Sequence, residues 1–156
     1  MDAAAVRLEL AGEVGHVGFE RGALQHVLAF PAGASRVAKI LAHDPPTERE
    51  IEHAIEVIED AVMPLAKSLP AGGALFAADE ETRATVTRAA GSAEARSAEL
   101  AAVENIFEQV AMAAQRGAWA GGLEMAPAAA ASALIVREFM HHLGFASIGI
   151  AADSCP

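Results

Sequence analysis

The segment from Ala126 to Phe145 limits the possible folds of this chain more than any other feature, because it is almost wholly apolar. At about 100° per residue, its central polar residues occupy one arc of roughly 140° on a helix. They are Arg137, Glu138, His141 and His142. A helix that is apolar around the rest of its circumference is buried on most sides. We therefore expect a buried helix that begins at Pro127 and stops at Gly144, with a polar stripe that faces something definite.

Alanine dominates the composition and favours close packing of helices. The chain has 156 residues, of which 39 are alanine, so the large apolar side chains make up only roughly 28%. Alanine has the highest helix propensity, and its small side chain allows short distances between helix axes. The length is that of one ordinary domain. We expect a single domain over residues 1–156.

The charge and the single cysteine restrict the partners and the compartment. The formal net charge of −10 repels nucleic acids and anionic lipid, so neither is an expected partner. The sequence begins with an acid, Asp2, where a signal peptide carries positive charge, and no apolar run of the signal-peptide kind follows. Cys155 is the only cysteine, which excludes an intramolecular disulfide and favours a reducing compartment. We expect a cytoplasmic protein, and the alanine and arginine bias suggests a bacterial genome.

The clearest local signal is the segment Thr47 to Leu69. Thr47 and Glu50 have the spacing of a capping box, and an apolar stripe at helical spacing follows them. Pro64 interrupts this stripe and should kink the helix or begin a second piece. Asp79 is placed to cap a helix over 80–90.

The remaining segments complete a predicted α+β fold that is mainly helical. Alternating residues near Val6 predict a short N-terminal strand, and His26 to Phe30 is a second strand candidate or a helical turn. Ser35 could cap a short helix, and a longer helix is predicted over residues 93–116. Ala146 to Ala151 suits a terminal strand. The prediction is short N-terminal strands, about four main helices and a C-terminal strand. An all-α bundle is the alternative. A weak 49-residue repeat suggests, separately, two helical hairpins that pack as a pseudo-symmetric four-helix layer.

Two Glu-x-x-His units are the sharpest metal-binding pattern. Glu50 with His53, and Glu138 with His141, each place a carboxylate and an imidazole on one helix face, as in carboxylate-bridged di-iron bundles. A looser version keeps Glu138, His141 and His142 as a single Zn or Fe site. The alternative is structural: a capping-box Glu with a surface His, and a hydrogen-bonded network around Glu138. That second interpretation is preferred, so no cofactor is expected.

Other chemical motifs are missing or ambiguous. The chain has no Gly-x-Ser-x-Gly elbow, and its glycines near residue 15 lack the Lys and Ser/Thr of a phosphate-binding P-loop. A general base at His141 or His142, oriented by Glu138, remains possible. Trp119 lies among small residues and is either a contact hot spot or a core anchor.

Two functions of different classes fit these observations. The first is a small cytosolic bacterial protein without catalytic activity that acts through contact with an unknown protein partner. It would form a homo-oligomer through its alanine-rich helices. The alternative is a metal-dependent or acid–base enzyme centred on Glu138, His141 and His142. Because no catalytic set is complete, the sequence favours the first.

Overall fold

A six-stranded mixed sheet forms one layer of the structure. The computed structural model describes residues 4–151. The strands are β1 (Ala5–Glu9), β2 (Gly15–Arg21), β3 (Leu24–Phe30), β4 (Ala74–Ala77), β5 (Ser97–Glu99) and β6 (Ser147–Ile150), in the order β3-β2-β1-β4-β6-β5. β1, β4 and β6 are parallel, whereas β1–β2, β2–β3 and β5–β6 are antiparallel. The predicted α+β class is confirmed, and the all-α alternative is wrong.

Five α-helices and a short 3₁₀ helix surround the core. They are α1 (Ala34–Ile40), α2 (Glu48–Val62), α3 (Glu80–Ala90), α4 (Leu100–Arg116) and α5 (Pro127–Leu143), with the 3₁₀ helix at Met63–Lys67. The predictions of a mainly helical fold and of about four main helices are therefore wrong. Sequence patterning undercounts the strands because β2 is rich in glycine and β5 has only three residues.

One face of the sheet carries the core. Val6 and Leu8 of β1 lie beside Phe19 and Val17 of β2, and all four side chains are buried. The neighbouring residues on the other face, such as Arg7 and Val27, remain partly or fully exposed. The five helices pack together on the buried face. The alternation of β1 thus decides which side of the sheet receives them.

Helix α5 is central to the helical layer, as the sequence predicts. It contacts α1, α2, α3 and α4. Ten of its seventeen residues are buried, including Leu134, Ile135 and Phe139. It ends at Gly144, whose φ of +79° is a left-handed conformation that glycine adopts without steric cost. No described helix is long and apolar enough to cross a membrane.

Several helix boundaries follow from the predicted signals, and others differ. The Thr47 capping box is present, and the 3₁₀ helix with Pro64 near its start follows α2. Gly33, rather than Ser35, precedes α1. The helix predicted over 93–116 begins only at Leu100, because residues 97–99 pair with β6 as β5. Cys155 lies outside the described residues.

Candidate functional site

The carboxyl edge of the parallel strands is the first candidate site. After β1 the chain passes through the β1–β2 loop to β2 and β3, which lie on one side of β1 in the sheet. After the adjacent β4 it passes through α3 to β5 and β6, which lie on the opposite side. Such a point, where the connections of neighbouring parallel strands diverge, leaves a crevice in which α/β proteins bind ligands. In this chain that point lies between the β1–β2 loop and the amino end of α3, which the Asp79 carboxylate bridges.

Asp79 joins the β1–β2 loop to the amino end of α3. Its Oδ2 accepts hydrogen bonds from Leu10 N at 3.0 Å and Ala11 N at 2.8 Å. Its Oδ1 accepts one from Thr82 N at 3.0 Å and one from the Thr82 hydroxyl. Burial alone would raise the pKa of Asp79, but these four hydrogen bonds outweigh it and lower the pKa below its usual value. The carboxyl edge of the sheet therefore holds a fixed, ionised carboxylate.

The β1–β2 loop is also held from the side of α1. Gly33 N donates to Glu13 O at 3.0 Å, and Ala34 N donates to Leu10 O at 2.7 Å. A Cβ added at Gly33 would lie 2.3 Å from the Gly12 carbonyl oxygen. Only glycine fits this close approach of two backbones. The loop amides that face Asp79 are thus held by contacts on two sides.

A carboxylate in the first turn of α3 reaches α5. Glu81, in the first turn of α3, accepts a 2.7 Å hydrogen bond from the Ser132 hydroxyl through its Oε1. Its Oε2 accepts no hydrogen bond from the described residues. Together with Asp79, it makes this edge electronegative. A phosphate group would approach it together with a divalent cation, which neutralises the carboxylates.

The polar stripe of α5 forms the second candidate site. Glu138 is 2% exposed. Its Oε1 accepts a 2.8 Å hydrogen bond from Arg137 Nη1, and its Oε2 lies 3.0 Å from His142 Nε2. The Arg137 guanidinium stacks over the Phe107 ring at 4.1 Å. Three of the four predicted stripe residues therefore converge, whereas His141 is exposed beside His142.

A residue of α2 completes this second cluster. Glu59 Oε1 lies 3.2 Å from His142 Nε2. One ligand atom each from Glu59, Glu138 and His142 lie within 4.8 Å of one another, and no other group of this kind occurs in residues 4–151. We call these three residues the Glu-Glu-His cluster.

The predicted pairing of two Glu-x-x-His units does not occur among the described residues. Glu50 completes the capping box and accepts hydrogen bonds from Thr47 N and from the His43 ring, at 2.9 Å each. His53 is exposed. Glu50 lies in the first turn of α2, whereas the α2 residue that reaches α5 is Glu59, more than two turns further along. The alternative interpretation of Glu50 as a capping residue matches the structure.

Trp119 packs partly against the core, and its predicted role as a contact hot spot stays a prediction. Its Nε1 donates a 2.7 Å hydrogen bond to Asp44 Oδ1. This contact links the loop after α4 to the loop before α2.

The sequence analysis did not assign Glu59, Asp79 or Glu81 to a site. Glu59 has no local signal, since its partner His142 is 83 residues away. Asp79 was recognised only as a helix cap, although it also binds the β1–β2 loop. A carboxylate directly after a strand and before a helix is the one local signal that marked it.

Comparisons with known proteins identify solved structures that share this fold. No protein-family model and no curated protein matches the chain. The solved structure of the type II variant of the Aquifex aeolicus Ppx/GppA phosphatase matches with a TM-score of 0.73 and 11% identity, over 97% of this chain and 54% of that chain. A second Aquifex aeolicus Ppx/GppA family structure matches with 0.73 and 12%, over 97% and 53%. An exopolyphosphatase-like protein matches with 0.69 and 11%, over 97% and 55%.

These matches correct the preferred functional interpretation. The chain has the fold of part of these proteins and spans about half of their length. Proteins named as phosphatases share this fold, which contradicts the prediction of a non-catalytic protein that acts by contact and favours the enzyme alternative. The sequence motifs do not indicate this likeness, because at 11–12% identity it resides in the fold and not in recognisable residues.

Proposed function

We propose that this chain is a hydrolytic enzyme domain that acts on phosphate compounds, with the reacting phosphate at the carboxyl edge of the sheet. The observation that carries the proposal is the convergence of two β1–β2 loop amides and the amino end of α3 on one anionic group, the Asp79 carboxylate. Backbone amides and a helix amino end favour negative charge, which Asp79 supplies here, so a phosphate would reach this edge together with a divalent cation. The fold shared with proteins named as phosphatases supports the choice of substrate class.

Asp79 is a positioning residue in this proposal. Both of its oxygens are engaged in hydrogen bonds, so it is a poor acceptor for a proton from water. Its contribution is to fix the loop of Leu10 and Ala11 against α3. A fixed loop presents its remaining polar groups to substrate without reorganisation.

Glu81 is the proposed general base. Its Oε1 is held by Ser132, and Oε2 is available for a water molecule. A carboxylate held on one oxygen can accept the proton of that water as the water attacks phosphorus. The leaving group departs from the opposite side of the phosphoryl group. A divalent cation bound with the substrate would supply charge neutralisation of the phosphate oxygens.

The test is metal-dependent phosphate release by the purified chain. Inorganic polyphosphate, pyrophosphate and p-nitrophenyl phosphate are offered with Mg²⁺ or Mn²⁺, and phosphate is measured over time. Loss of the general base in Glu81→Gln should reduce kcat by roughly 10²–10⁴. Glu80→Gln, one residue away and exposed, is the matched control and should retain the wild-type rate. The proposal fails if the wild-type chain releases no phosphate from any of these substrates, or if Glu81→Gln is as active as Glu80→Gln.

The predicted homo-oligomer, the cytoplasmic location and the single-domain organisation remain predictions. None of them is needed for the proposed reaction.

A further inference from the structure

The Glu-Glu-His cluster places three potential metal ligands around one point between α2 and α5. His142 Nε2 is 3.0 Å from Glu138 Oε2 and 3.2 Å from Glu59 Oε1. A tetrahedral Zn²⁺ ion with ligand bonds of about 2.0–2.1 Å separates its ligand atoms by about 3.3 Å. The two observed distances are close to that value, and the two carboxylate oxygens lie within 4.8 Å of each other. Side-chain adjustments that bring the three atoms to this spacing would give the geometry of a zinc site.

One hydrogen bond from His142 cannot join all three side chains. His142 Nε2 carries at most one hydrogen, which can point directly at only one of the two carboxylates, although both lie within 3.2 Å of it. A cation in the centre would contact all three side chains at once.

The surroundings hold the ligands in place. The buried Glu138 is fixed through its other oxygen by Arg137, which is itself stacked on Phe107. Partners of this kind, which orient a ligand without binding the metal, are typical of metal sites. Glu138 and His142 are four residues apart on α5 and share a helix face. Glu59 and His142 are partly exposed, which gives an ion a path from solvent.

The cluster is separate from the carboxyl edge. His142 is ten residues after Ser132 along α5, which corresponds to about 15 Å. It borders a cavity of about 220 Å³ with the turns near Gly72 and Gly144. A metal here would not contact the phosphate site of the proposed function, and the inference does not depend on that function.

We propose that Glu59, Glu138 and His142 bind one Zn²⁺ ion, with water as the fourth ligand. Two carboxylates and one imidazole form an oxygen and nitrogen ligand set that suits zinc. Three protein ligands with one open position are found in zinc sites that exchange a water or small ligand. Since α2 and α5 each supply ligands, bound zinc also links these two helices.

The test uses tag-free protein that has been stripped with a chelator. Zn²⁺ is titrated by calorimetry and against a chromogenic chelator, and the zinc retained after desalting is measured by elemental analysis. One equivalent should be retained, and zinc should raise the Tm of the wild-type protein. His142→Gln and Glu59→Gln should each weaken binding at least tenfold and abolish the increase in Tm.

Matched controls separate the cluster from nonspecific binding. His141→Gln changes the exposed neighbour of His142, and Glu56→Gln changes an exposed carboxylate on α2; both should bind zinc like the wild type. Because Glu59 is partly exposed, Glu59→Gln should fold even if a change at the buried Glu138 does not. Circular dichroism of each stripped variant checks this.

Two outcomes would overturn the proposal. One is retention of well below one equivalent by the wild-type protein. The other is binding that His142→Gln and Glu59→Gln leave unchanged. Phosphate release in the same variants distinguishes this failure from that of the proposed function, because neither residue lies at the carboxyl edge.

Discussion

Replacement of Glu50 by glutamine should make stability less dependent on pH. The Glu50 carboxylate accepts hydrogen bonds from the backbone amides of Thr47, Ala42 and His43 and from the His43 ring. Burial acts to raise its pKa, but these hydrogen bonds and the nearby His43 outweigh it and lower the pKa from 4.5 to about 2. The carboxylate thus joins the start of α2 to the segment after α1.

The magnitude follows from the pKa difference between the folded and unfolded states. At about 1.36 kcal/mol per pH unit, a change from 4.5 to about 2 corresponds to at most about 3 kcal/mol. The Glu50 side chain is 15% exposed, whereas its partner His43 is 71% exposed, so solvent screens part of this interaction. We expect Glu50→Gln to lose about 1–2 kcal/mol of unfolding free energy at pH 7.

The sign of the pH dependence is fixed by the direction of the change. Since the folded state has the lower pKa, the carboxylate stabilises the protein fully above about pH 4.5. Its contribution disappears as the pH falls towards about 2. The difference between wild type and Glu50→Gln should therefore shrink over this window.

Urea denaturation followed by circular dichroism between pH 2.5 and 7.5 measures this difference. Glu52→Gln, an exposed change in the same turn of α2, is the control and should follow the wild type throughout. A difference between wild type and Glu50→Gln that stays constant from pH 7 to pH 3 would refute the reasoning. A destabilisation by Glu52→Gln as large as that by Glu50→Gln would also refute it.

Three further substitutions test the packing by the same denaturation measurements at pH 7. Gly33→Ala places a Cβ 2.3 Å from the Gly12 carbonyl oxygen and should cost about 1–3 kcal/mol; an unchanged midpoint would contradict the close backbone approach. Phe139→Ala empties a fully buried position and should cost about 3–5 kcal/mol, and a loss below about 1 kcal/mol would show that the site is not tightly packed. Trp119→Phe removes the hydrogen bond to Asp44 and should cost about 0.5–1.5 kcal/mol, whereas no loss would mean that water replaces it equally well.

The sequence predicts those elements whose signals are local. The Thr47 capping box, the Asp79 cap of α3 and the Gly144 end of α5 each depend on residues within one or two turns, and each is present. The helical stripes of α2 and α5 face the core as expected, because burial of an apolar face stabilises a helix whatever its partners are.

Elements that depend on distant partners could not be predicted from local patterns. Gly15 weakens any strand signal in β2, yet glycine is required there because an added Cβ would lie 2.2 Å from the Phe30 ring. The three residues of β5 are a strand only because β6 pairs with them. Local propensity favours helix at this position, and the pairing overrides it.

The residues of the candidate sites were likewise predictable only where their signals are local. The stripe of Arg137, Glu138 and His142 was visible as a helical pattern, but Glu59 was not, since nothing in the pattern of α2 indicates which polar residue meets α5. At the other edge, the contact between Asp79 and the Leu10 and Ala11 amides exists only because β1 and β4 are neighbours in the sheet.

The alanines of α5 have a consequence for how this protein can vary. Ala130, Ala131 and Ala133 are 1% exposed or less, on a helix enclosed by four others. A single larger side chain there would have no free volume and would force whole helices apart. Substitution at these positions should therefore be tolerated only together with compensating reductions in size on the facing helices, which couples the evolution of segments far apart in the chain.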